Sequence, residues 1–168
     1  MKQLIQKIEQ WADERNVIEG SSSKKQMLKL MEEFGELCRG IAKNKPDVIK
    51  DSVGDCFIVF IILMAQKGHP LSHEDDDWEF ANSIEYSRTT NDEEIYEQII
   101  RFNEYVTTFT QEDGWFAFFE IYSPITMLAE MFHFSLRECA QHAYDKIKDR
   151  KGRMIDGVFV KEEDLRND

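Results

Sequence analysis

The chain has 168 residues, 42% of them apolar and 12% aromatic, which suits one packed domain and is too apolar for a disordered segment. Its net charge of -12, from 33 acids against 21 lysines and arginines, excludes a general nucleic-acid binder. The longest apolar run, 57–65, is too short to span a membrane; Met-Lys-Gln opens the chain with no apolar signal region behind it; and Cys38, Cys56 and Cys139, without CxxC spacing, read as reduced thiols filling the core of a cytoplasmic protein.

Residues 2–15 form the first predicted helix, with Leu4, Ile5, Ile8, Trp11 and Ala12 on its inner stripe. Gly20-Ser21-Ser22-Ser23 is a linker and helix start, and Ser23 with Gln26 fits a capping box. The second helix runs from about Lys24 to Lys43, and its apolar stripe is Met27, Leu30, Met31, Phe34, Leu37, Cys38 and Ile41. Asn44-Lys45-Pro46-Asp47 is a turn with Asp47 as the expected N-cap. The third helix runs from about Val48 to Lys67 and ends at Gly68.

These two helices carry the acids of interest. At about 100° per residue, Glu33 shares one side of its helix with Glu36, and so does Glu32. Glu33 flanks the apolar stripe next to Leu37, so it can look into a groove. On the third helix Asp51 and Asp55 are one turn apart, and Ile58, Val59 and Ile62 continue their face. Ile49, Val53, Phe57 and Phe60 line the opposite face, so this helix should be buried between partners with its acids at the mouth of a core. Like charges there repel, burial raises their pKa values, and a hard divalent cation with oxygen ligands removes the repulsion. Solvated surface acids would have the same spacing, but a solvated face should stay polar beyond Asp55.

Residues 69–91 read as surface loop, and His73 with Asp75, Asp76 and Asp77 as an acidic loop rather than a metal site. Asp92 should cap a fourth helix to about Thr110, with Ile95, Ile99, Phe102, Val106 and Phe109 on one face. The aromatic run from Trp115 to Tyr122 reads as core or subunit interface rather than a base-stacking platform. Pro124 starts or kinks the next helix, which ends near His133. Ser135 and Glu138 form a second capping box, opening a last helix to about Arg150. His142 on that helix is assigned no catalytic role. Lys146, Lys148, Arg150, Lys151 and Arg153 put five basic residues in eight around one acid, Asp149, which suits either an anion or compensation of the helix dipole. Met154 to Val160 reads as a small hairpin turning at Asp156-Gly157.

Glu32-Glu33-x-x-Glu36 followed by an acidic pair ending in Gly54-Asp55 resembles the MazG-like nucleotide pyrophosphohydrolases of the all-α NTP pyrophosphatase superfamily, whose pattern is E-E-x-x-E, a spacer, then E-x-x-D. The resemblance extends to the first helix and to the tail from Ala143, and leaves out about 66–115. It implies an all-α helical bundle, here with a C-terminal β-hairpin tail over 151–168 and a less typical insertion or extra helix over 69–115. It implies Glu33, Glu36 and Asp55 as ligands of Mg²⁺, with Mn²⁺ as a substitute. Ser52 stands where the pattern has Glu, and Asp51, one position earlier, is the expected substitute fourth ligand. Glu32 or Asp51 would serve the attacking water. Lys146 and Arg150, together with Asp145 and Lys29, would hold the substrate.

The expected reaction converts an NTP or dNTP to the monophosphate and pyrophosphate. The rival readings are a phosphoribosyl-ATP pyrophosphatase-like enzyme and a nucleotide-binding helical oligomer without turnover. No membrane or nucleic-acid partner is expected. The third helix is apolar nearly all round, more than a four-helix core needs, so a homodimer or homotetramer is expected. Light scattering should give at least twice the chain mass, and a monodisperse monomer refutes this.

Overall fold

The fold follows from a helix that has no polar side for most of its length. A computed structural model describes residues 1–73, 91–111 and 116–166. In chain order these form α1 (Lys2–Glu14), α2 (Val17–Gly20), α3 (Ser23–Ala42), α4 (Pro46–Gln66), a 3₁₀ turn (Leu71–His73), α5 (Asp92–Gln111), α6 (Phe116–Met131), α7 (Leu136–Ile147), a hairpin of β1 (Gly152–Ile155) and β2 (Val158–Lys161), and a last 3₁₀ turn (Asp164–Arg166). The protein is all-α, and its described residues add one small antiparallel hairpin. No helix among the described residues is long and apolar enough to cross a membrane.

Every residue of α4 from Cys56 to Met64 is buried. It packs most extensively on α3 and α7, then on α1, α2 and α6. The α3 stripe meets it through Leu30, Phe34 and Leu37, and α1 through the five residues its periodicity selects. Gly54 lets α7 approach closely: a Cβ there would collide with the Cys139 carbonyl and lie 2.7 Å from the Ala143 Cβ. The helices α5 and α6 pair with each other and join the core where Phe102 stacks on Phe34 at 4.5 Å and Tyr122 meets Phe57 edge-on at 6.2 Å. Cys56 and Cys139 are buried in the core as predicted, and burial first of all pushes the Cys139 thiol up to about 12.

The helix starts differ from expectation by about one residue. Ser22, not Ser23, caps α3, accepting from the Lys25 N–H at 3.3 Å. Lys45 precedes α4 with Pro46 in its first turn, so Asp47 lies inside the helix rather than capping it. Asn91, not Asp92, accepts the Glu94 N–H at 2.8 Å at the head of α5. Pro124 sits inside α6, which begins at Phe116. The last helix stops at Ile147, short of Arg150, and its Ser135–Glu138 capping box is present. The segment from His69 is not all surface loop: Leu71 and Ser72 are buried, and the Ser72 N–H donates to Glu9 at 3.2 Å. The acids Asp75, Asp76 and Asp77, and Trp115, lie outside the described residues.

Arg15 and Trp11 fasten the end of α7 to α1. The Arg15 guanidinium donates to the carbonyls of Lys148 and Arg150 at 3.0 Å, and the Trp11 indole N–H to that of Ile147 at 2.9 Å. The carbonyls at and just beyond the end of α7 lack the helical N–H partners of the turns before them, and these side chains supply donors to them. The chain then turns into the hairpin, where Asp156 (φ 49) and Gly157 (φ 75) make the left-handed pair that a two-residue turn demands. Gly54→Ala should lower stability by roughly 1–3 kcal/mol or more, the cost of overpacking where the neighbour is backbone. Thermal unfolding checks this, and an unchanged Tm would show that α4 and α7 separate easily.

Candidate active site

Because α3 and α4 pack along their lengths, the acids on their facing edges come together where the two helices meet α1, the end of α7 and the hairpin. A cavity of about 280 Å³ opens there. Its charged side carries Lys29, Glu32 and Glu33 from α3, Asp55 from α4, and Arg150. Its apolar wall is built from Trp11, Val17, Ile58, Val59, Ile62 and Ile147, and the hairpin adds Val158 and Phe159. The Phe159 ring lies 6.0 Å from that of Trp11, tilted by 58°. Ser21 ties the hairpin down, its hydroxyl donating to the Gly157 carbonyl at 2.8 Å.

Five of the residues selected from sequence therefore share one cavity: Lys29, Glu32, Glu33, Asp55 and Arg150. The others stand apart from it. Glu36 is exposed and faces Arg39 at 3.5 Å. Asp51 accepts from Lys146 at 2.7 Å, with His142 at 3.6 Å, joining α4 to α7. Asp145 pairs with Lys148 at 2.7 Å and Gln141 at 3.1 Å. Asp145 and Lys146 line a second groove of about 620 Å³, which Arg150 and Lys161 border on both sides. Ser52 points into the core at 2% exposure, while Asp51 is half-buried.

Sequence reasoning missed Gln26, Lys25, Lys161 and the apolar wall. Gln26 had left a signal: it lies seven residues before Glu33, so both fall on the buried face of α3 on either side of Leu30. Two polar residues interrupting a core stripe mark where that stripe borders a cavity. The Gln26 amide donates to Ser21 at 3.2 Å.

The charges are unevenly compensated. Glu33 is only 8% exposed, and the Lys29 ammonium meets it at 2.6 Å and Glu32 at 3.0 Å. Burial pulls the Lys29 ammonium down, but its hydrogen bonds to Glu33 and Glu32 outweigh that and leave its pKa raised. Among the described residues, no lysine or arginine makes such a contact with Asp55. Burial, then the charges of Glu33 and Asp51, push its carboxyl up to about 7, against the pull of Lys29 and Lys146. The Cys56 thiol next to it is pushed well up, chiefly by burial, so it is no nucleophile.

Hard oxygen donors crowded until one of them holds its proton near neutrality match the chemistry of Mg²⁺. Among the described residues, no three of His, Cys, Asp or Glu are gathered as metal ligands, and lysines lie on Glu33 and Asp51 instead.

Asp55 makes stability depend on pH. Its ordinary pKa is 3.8, so between about pH 4 and 7 the folded chain binds more proton than the unfolded chain. Stability from this group is therefore greatest below that window and falls as pH rises through it. Asp55→Asn should raise stability at pH 8 by roughly 1–3 kcal/mol and change little at pH 4. Thermal unfolding of both proteins in EDTA across this range checks it, and parallel Tm curves would show that Asp55 titrates normally.

Comparison with known proteins bears on the same segment. Residues 21–76 match the MazG nucleotide pyrophosphohydrolase domain. An uncharacterized 18.2 kDa protein in the rep-hol intergenic region of Haemophilus phage HP1 (strain HP1c1) is 67% identical over 66 residues, covering 39% of this chain and 40% of that protein. The chain thus spans well under half the length of that curated relative. No solved structure matches the chain. The resemblance read from Glu32, Glu33, Glu36 and Asp55 is borne out over the segment that carries them: residues 21–76 are MazG-like in sequence, and their described part, 21–73, is helical.

Proposed function

We propose that the chain is a nucleoside triphosphate pyrophosphohydrolase, releasing pyrophosphate and a nucleoside monophosphate. The observation that carries this is the cavity itself, which joins Lys29, Glu32, Glu33, Asp55 and Arg150 to an apolar and aromatic lining, and whose α3 and α4 residues lie in the segment matched by the family. A nucleotide has the same division between a polyanionic tail and a planar, largely apolar base. Glu33 and Asp55, which line the cavity, would hold Mg²⁺ (or Mn²⁺), with Glu36 and Asp51 completing the set once they turn from Arg39 and Lys146; the ion would supply positive charge against the phosphate oxygens.

The chain's own groups do the rest. Glu32 or Asp51 orients a water and accepts its proton. The water oxygen bonds to the α-phosphorus, the bond from that phosphorus to the bridging oxygen breaks, and pyrophosphate leaves. Arg150 and Lys29 at the cavity, and Lys146 in the groove beyond it, bind phosphate oxygens, with Asp145 holding Lys148 beside them. The hairpin and Trp11 keep water from the nucleoside end. The domain works in the cytoplasm as a homodimer or homotetramer, and the exposed Leu28, Tyr96 and Ile100 give it apolar surface to bury.

The pairing of Lys29 and Lys146 with the acids favours one other reading, a nucleotide-binding oligomer without turnover. A product assay separates the two. The protein is incubated with each common NTP and dNTP, with Mg²⁺ or with EDTA, and the products are resolved. Monophosphate plus pyrophosphate should form only with metal. Glu33→Gln should lower the rate more than about 100-fold while keeping the helical circular dichroism. Near-normal turnover in folded Glu33→Gln would overturn the assignment of the site.

A further inference from the structure

A nearly buried carboxylate needs a positive charge beside it, and Glu33 has one that belongs to the chain. Lys29 lies one helical turn before Glu33 on the same face of α3, and its Nζ is 2.6 Å from the Glu33 carboxylate and 3.0 Å from that of Glu32. We propose that Lys29 is an internal counter-cation, holding on Glu33 the place that a divalent cation takes, and passing to the phosphates when that cation binds. This rests on the reading of Glu33 as a metal-holding residue and goes beyond it, because it makes cation binding an exchange rather than an addition.

Three observations support the exchange. The first is position: Lys29 and Glu33 line the same cavity as Asp55 and Arg150, so an ammonium leaving Glu33 stays beside the phosphates. The second is freedom. The Lys29 side chain is 46% exposed while that of Glu33 is 11% exposed, so the cation can swing on its four-carbon stem and the carboxylate stays in place. The third is charge. Lys146 lies on Asp51 in the same way at 2.7 Å, so Glu33 and Asp51 each have an ammonium beside them before any metal arrives. A divalent cation at Glu33 then brings two charges where one already sits. The surplus positive charge favours departure of the ammonium, and a polyanion is its natural acceptor. Metal and nucleotide would thus bind cooperatively through a single side chain.

The test measures cation affinity without turnover. Mn²⁺ is titrated into nucleotide-free protein, and free Mn²⁺ is followed by electron paramagnetic resonance. Wild type is compared with Lys29→Met and Lys29→Gln, which remove the charge, and with Lys29→Arg, which keeps it. Circular dichroism confirms that each is folded. The neutral variants should bind Mn²⁺ about fivefold more tightly than wild type, and Lys29→Arg with wild-type affinity. Equal Mn²⁺ affinity in all four proteins overturns the exchange while leaving the metal-holding role of Glu33 intact. Absence of Mn²⁺ binding from all four overturns both. With Mn²⁺ saturating, an α,β-imido triphosphate should bind the neutral variants several-fold more weakly. Equal binding overturns the transfer of Lys29 to the phosphates.

Discussion

Burying α4 on every side is the constraint from which the rest of the molecule follows. Nine consecutive residues from Cys56 to Met64 are removed from water, so helices or turns must cover the whole circumference. Burial of that much apolar surface is worth roughly 1.5–3 kcal/mol per large side chain, far more than any ion pair in the site can contribute. The hydrophobic demand of the C-terminal half therefore sets where the N-terminal half lies. Asp51 and Asp55 are carried to the core's mouth because Phe57, Phe60 and Ile61 are carried into it. Gly54 then admits α7, and α7 brings Lys146 to Asp51.

The same constraint explains the uneven electrostatics. Packing α3 along α4 brings Glu33 to the edge of the interface, and a carboxylate there is stable as an anion only with a partner. Lys29, one turn away on the same helix, provides it at little cost in order, because neither backbone has to move. Asp55 sits between Glu33 and Asp51, and both nearby lysines are already engaged with those neighbours. Its proton is then the cheapest way to lower the local charge, which is why its carboxyl stands near 7. The structure thus stores an electrostatic conflict at one residue while its neighbours are satisfied, a pattern typical of sites built to receive a charged group.

What the sequence disclosed depended on how many residues carried each signal. The inner stripe of α1 was legible residue by residue, because Leu4, Ile5, Ile8, Trp11 and Ala12 repeat the helical period without interruption. The hairpin was legible from Asp156-Gly157 alone, since few sequences suit two successive left-handed residues. Caps were misplaced where neighbours could serve equally: Ser22 beside Ser23, and Asn91 beside Asp92. The four-residue α2 was missed, being too short to show a period. The acid clusters could be placed on facing helices, but not their partners. The ion pair between Lys146 and Asp51 spans 95 residues, and whether Glu36 faces the cavity or Arg39 depends on side-chain direction.

The cavity wall was illegible for a related reason: it is made by residues that read individually as core. Trp11, Ile58, Ile62 and Ile147 satisfy the same periodicity whether they touch other side chains or line an open space. Only the polar residues set among them, Gln26 and Glu33, separate the two cases. The wall has an electrical consequence as well. Apolar side chains line the same cavity as Glu33 and Asp55 and lower the local dielectric, so each charge added or removed there is felt by the others. A buried aliphatic surface and a cluster of acids, unrelated as sequence features, thus become one device: the first sets the strength with which the second responds to a cation.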